Sequence, residues 1–167
     1  MGLYSVDKLI MEARRVAAEY RRATGQPLAG VSAEICKHDA CHLLGLELVT
    51  ASTAGHDAVG QGRQAGKRFL IKGRTIFDET KSGQRIGQFK MDQEWDSVLL
   101  VLMDDNLEPY EIYEADRDDI AEAMENGKSS NRSKRGMMSV AKFRIIGRLV
   151  WTRENGVEDD EIWDNRA

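Results

Sequence analysis

"SVLLVLMDDNLEPYEIYEA", Ser97 to Ala115, carries the clearest structural signal in the chain. Val98–Met103 is a continuous apolar run bounded by turn formers, which reads as a buried strand. Asp104–Asn106 is a polar turn, and Pro109–Glu114 reads as the returning strand of the pair. Asp104 and Asp105 are read as hairpin-turn residues. A helix is expected next at about 116–126, started by Asp116 or Asp118. Beyond the polar loop "NGKSSNRSKRG", the stretch "SVAKFRIIGRLVW" reads as a helix, or as a helix running into a strand.

Working back from the hairpin, residues 75–97 read mostly as loop. "KRFLIKGR", Lys67–Arg74, is a second apolar strand, and it ends in Lys72. "TAGHDAVGQGRQAG" is rich in turn residues around a short strand at Asp57–Val59, and residues 46–50 look extended. Two helices come first. In "YSVDKLIMEARRVAAEYRRATG" Ser5 is the expected cap, Gly25 the expected end, and Leu9, Ile10, Ala13, Val16, Ala17 and Tyr20 recur at helical spacing. In "VSAEICKHDACHLLG" Ser32 is the expected cap, with Cys36, Ala40, Leu43 and Leu44 as the apolar stripe. The sum is an α/β protein with a small mixed sheet flanked by helices. Length supports one domain over 1–153, followed by an acidic tail over 154–167 in which Trp163 hints at docking.

No apolar run approaches the roughly 20 residues of a membrane span, and no signal-peptide core opens the chain, so the expected location is the cytoplasm. Cys36 and Cys41 share one expected helix, which makes reduced thiols the default. Cys36, His38, Cys41 and His42 invite a zinc reading. One helix cannot turn all four toward one ion, and no second cluster completes a tetrahedral site, so the cysteines read as small core residues.

Net charge is −4, yet the charges are unevenly placed. Residues 63–90 hold Arg63, Lys67, Arg68, Lys72, Arg74, Lys81, Arg85 and Lys90 against only Asp78 and Glu79. Residues 128–148 hold no acid at all. An acidic protein with one basic face still attracts a phosphate backbone, because the local field is what the backbone feels.

Three pieces then fall into a known order: Glu34 in the first turns of a helix, Asp57 on a short strand, and Lys72 at the end of the next strand. Over roughly residues 31–115 the chain resembles the restriction-endonuclease-like PD-(D/E)xK nuclease superfamily. The resemblance implies a metal-dependent nuclease acting on DNA, with Mg²⁺ or Mn²⁺ held by Asp57 and Glu34 and with Lys72 as the catalytic lysine. A homodimer is expected if the substrate is a duplex. Arg74, Arg85, Lys90, Lys128, Arg132, Lys134 and Arg135 are the expected phosphate contacts. The chemistry of these residue types agrees, since a hard cation takes oxygen ligands and a lysine offsets charge building on phosphoryl oxygens.

The chain departs from the family pattern at Leu70, two residues before Lys72, where the family carries an acid or amide. Glu34 then supplies the second carboxylate, or Gln61, Gln64 or Glu79 swings in. The alternative is a degenerate, non-cutting member that binds nucleic acid or a protein partner.

Overall fold

Ser5 accepts a hydrogen bond from the Lys8 N–H at 3.2 Å and opens helix α1, Val6–Thr24, which closes where Gly25 turns to φ 74°. Both caps are those that the residue types dictate. The computed structural model describes residues 5–50, 55–76, 85–126 and 138–158. Of the apolar stripe on α1, Ala17 is buried and Ile10 and Ala13 pack onto the core, while Leu9, Val16 and Tyr20 stay exposed. The stripe is wider than the contact it makes.

Helix α2, Val31–Leu44, starts earlier than its sequence suggests. Gly30, at φ 82°, is its cap and offers no side-chain bond, so Ser32 lies inside the first turn. Only glycine enters that backbone region without cost. Glu34 keeps its first-turn position, where an acid favours the helix dipole.

The strands are β1 (Glu47–Leu48), β2 (Ala58–Val59), β3 (Arg68–Thr75), β4 (Arg85–Ile86), β5 (Ser97–Met103), β6 (Pro109–Asp116), β7 (Met138–Ser139), β8 (Arg148–Thr152) and β9 (Gly156–Val157). Seven of them form one mixed sheet in the order β1-β2-β3-β5-β6-β8-β9. β3 runs parallel to β5, from Phe69 beside Ser97 to Thr75 beside Met103, and the other neighbours are antiparallel. β4 and β7 pair separately.

Every residue of β5 is buried. Leu99, Val101 and Met103 face a layer built with α1 and α2, and Val98, Leu100 and Leu102 face the opposite layer. Helices α3 (Arg117–Asn126) and α4 (Val140–Ile146) supply that second layer through Ile120, Val140 and Phe143. This is the expected α/β arrangement. Each fully buried Leu or Val contributes about 1.5–3 kcal/mol, which is why the unbroken run can anchor both layers.

Three local readings are refined. "SVAKFRIIGRLVW" is a helix followed by a strand, α4 then β8. Residues 75–97 contain β4, a two-residue strand too short to show any periodicity. The tail from Glu154 contains β9, paired with β8, and residues 159–167 lie outside the described residues, Trp163 among them. No helix among the described residues is long and apolar enough to cross a membrane.

Two features of β3 prepare the site. Its pairing with β2 runs through Arg68 and Phe69, so the edge of the strand that follows opens toward α2. Helix α2 crosses at Gly73, where an added Cβ would lie 2.0 Å from Cys36 Sγ. Only a glycine lets the helix come so close.

Candidate functional site

Beyond Phe69 the edge of β3 is open, and Asp57 satisfies a backbone donor there: the Ile71 N–H donates to Asp57 Oδ2 at 2.8 Å. The Asp57 backbone is engaged as well, with its N–H on the Phe69 carbonyl at 2.8 Å and its carbonyl taking the Val49 N–H at 2.9 Å. Asp57 sits one residue before β2, and its remaining carboxylate oxygen is the one turned to the site. Fixed on three sides, it holds its carboxylate more rigidly than a loop residue would.

Lys37 Nζ lies 3.3 Å from Glu34 Oε1 and 3.7 Å from Asp57 Oδ1. Glu34 and Asp57 therefore converge on a single ammonium. They line one lobe of a surface cleft, about 460 Å³, with Lys37, His56, Leu70, Lys90 and Gln93. An adjoining lobe of similar volume is lined by Lys72, Arg74, Gly73 and Ile71, and it shares Lys37, Asp57, Leu70 and Lys90 with the first. Lys72 thus meets Asp57 in one continuous cleft.

Burial pushes the Lys72 ammonium below the ordinary lysine range; the attraction of Asp57 opposes this, and the fields of Arg74, Lys90 and Lys37 reinforce it. Four cations (Lys37, Lys72, Arg74, Lys90) surround two acids (Glu34, Asp57), so the cleft favours an anion.

Arg74 is tied down. Its Nε donates to the Arg85 carbonyl at 2.6 Å and its Nη1 to the Gly73 carbonyl, while burial lowers its pKa. Arg85 itself lies on β4, and its link to the site is that carbonyl. Lys128, Arg132, Lys134, Arg135 and Glu79 lie outside the described residues.

Leu70 is buried among Phe89, Trp95 and Leu100, so the position where the family carries a ligand is an apolar wall. Gln64 is buried with its Nε2 unpartnered. The cysteines are free and buried, and burial pushes the Cys36 thiol to about 12 and the Cys41 thiol to about 11. Neither thiol is a nucleophile near neutral pH.

Two contributors escaped the sequence reading. Lys37 is one, although its place three residues after Glu34 on a helix is the spacing of an ion pair. Arg117 is the other. Its guanidinium donates to the carbonyls of Met91, Gln93 (2.8 Å) and Trp95 (3.0 Å) and stacks 4.5 Å from the Trp95 ring centroid. Trp95 Nε1 in turn donates to the Lys90 carbonyl at 2.8 Å. Together they hold the loop that brings Lys90 and Gln93 to the cleft. No sequence spacing signals a contact over so many residues.

Among the described residues no group of three or more His, Cys, Asp or Glu side chains gathers as a metal site would require if protein alone filled the coordination shell. Mg²⁺ does not need that: one or two carboxylates, with water and substrate oxygens, are its usual partners. Glu34 and Asp57 meet that requirement, and the Lys37 ammonium already occupies the place of a positive charge between them. Two carboxylates are the donors that the cleft offers a divalent cation. No protein-family model matches this chain, and no curated protein matches it.

Proposed function

We propose that the chain is a metal-assisted nuclease whose cleft takes the phosphodiester backbone of DNA. The observation that carries the reading is a pair of adjoining lobes at the open edge of β3, Glu34 and Asp57 lining the first and Asp57 and Lys72 the second. Asp57 and Glu34 are the residues that would hold the ion. A bound divalent cation supplies Lewis-acid polarisation of the phosphoryl group and activation of water.

The chain's own residues do the rest. Lys72, partly desolvated, offsets negative charge that builds on the phosphoryl oxygens, and it does so without waiting for solvent to reorganise. Lys90 and Arg74 add to the positive field that draws the backbone in. Leu70 forms the dry floor beneath them.

A second reading has its own support. Leu70 removes a ligand position and Lys37 already pairs with both carboxylates, which suits a module that binds nucleic acid without cutting it.

Incubation of the protein with supercoiled plasmid, single-stranded DNA and RNA in Mg²⁺, in Mn²⁺ and in chelator separates the two. The nuclease reading expects nicking of DNA in metal, stronger in Mn²⁺ because that ion dehydrates more readily at a site with few carboxylates, and none in chelator. Retained binding with no cleavage of any substrate in either metal would leave the binding module.

A further inference from the structure

We infer that Lys37 is a built-in counter-ion that competes with the divalent cation for Glu34 and Asp57. The inference rests on the metal reading of the cleft given above, and it adds a rule for when that site loads.

The geometry is specific. Lys37 Nζ contacts a carboxylate from its own helix, Glu34 at 3.3 Å, and one from the sheet, Asp57 at 3.7 Å. It can do so because α2 is pinned against β3 at Gly73 by the neighbouring Cys36, which brings the next residue of the helix to the open strand edge. Without Lys37 the two acids would face each other across the cleft with no positive charge between them. Like charges at such a site repel, and the cost rises as water is excluded.

A divalent ion that binds both carboxylates takes the same position, so the ammonium has to leave. The side chain can do this: it is 30% exposed and sits on a flexible four-carbon stem. The released ammonium stays within the cleft beside Lys72 and Lys90, where its contribution changes from holding acids to attracting phosphate. Phosphodiester and metal then favour the same rearrangement, because the ligand that welcomes Lys37 out is the one that the loaded site acts upon. Metal binding and phosphate binding are coupled through one side chain.

The test is calorimetric titration of the intact chain with Mn²⁺ alone, which reads binding and not cleavage. Lys37→Gln removes the charge and keeps most of the length, and Mn²⁺ should bind it roughly tenfold more tightly than wild type. Lys37→Arg keeps the charge and should stay near the wild-type affinity. Lys142→Gln, on α4 across the sheet, removes a distant positive charge and should change nothing. In chelator Lys37→Gln should melt below wild type, and saturating Mn²⁺ should remove that difference. Equal or weaker Mn²⁺ binding by Lys37→Gln, with wild type binding normally, overturns the competition and leaves the metal site standing. Absence of Mn²⁺ binding in both proteins overturns the metal reading itself, and the competition with it.

Discussion

Lys72→Ala will lower DNA cleavage in Mn²⁺ by roughly 10²–10³-fold, the scale set by removing one charge-stabilising donor from a preorganised site. Lys72 lies inside β3, directly after three buried residues, and its ammonium is partly desolvated with Asp57 as its opposing charge. A cation in such surroundings acts through a lower dielectric than a surface lysine, so its loss is felt more. The same position makes it expendable to the fold. Lys72 belongs to neither apolar cluster, so truncation opens no core cavity, and the melting temperature should move by only a few degrees. Lys72→Arg should recover only part of the rate, since a planar fork does not reproduce a point charge. Cleavage that survives Lys72→Ala would mean that this lysine is a strand meeting water and nothing more.

Glu114→Ala will destabilise the sheet markedly. Glu114 is completely buried on β6, yet its carboxylate oxygens are well partnered. Ser97 Oγ donates to it at 2.8 Å, Lys67 Nζ lies at 3.2 Å, and Arg148 binds its other oxygen. Asp116 flanks the pair at 3.6 Å from both Lys67 and Arg148. The network ties β5, β6 and β8 to Lys67, the residue before β3, at one end of the sheet. Deleting the carboxylate leaves Lys67 and Arg148 sharing the half-exposed Asp116 beside a new void, and the Arg148 Nε is already buried without a partner. Removing one member of a buried ion pair costs about 3 kcal/mol or more, which for a chain of this size lowers the melting temperature by roughly 6–12 °C. Thermal unfolding followed by circular dichroism measures it directly. A melting temperature equal to that of wild type would show that the network contributes nothing net.

The sheet was readable because its central strand is an unbroken apolar run from Val98 to Met103, a pattern that few other structures accommodate. The same logic reached β3 and the helix caps at Ser5 and Gly25, where local chemistry decides local geometry. Reading failed where the decision was made at a distance. β4 and β7 are two residues each and exist only because they meet. Half of the apolar stripe on α1 stayed exposed because α2 covers one edge of it.

The site divides along the same line. Glu34, Asp57 and Lys72 stand out by residue type and order; Asp57 lines both of two adjoining pockets, Glu34 the one and Lys72 the other. Arg74 reads as a free cation in sequence, but it spends its donors on the backbone carbonyls of Gly73 and Arg85. Lys37 was hidden by plainness: a lysine on a helix is most often a solvated one, and only the crossing at Gly73 turns this one toward Asp57.

The central claim is that Asp57 and Glu34 hold a divalent cation next to Lys72. Paramagnetic broadening of backbone amide resonances by substoichiometric Mn²⁺ tests it most directly, since broadening falls steeply with distance from the ion. The account predicts selective loss of the Glu34, Lys37, Asp57, Ile71 and Lys72 amide signals, abolished in Asp57→Asn. Broadening centred on other acids, or none at all, would contradict it.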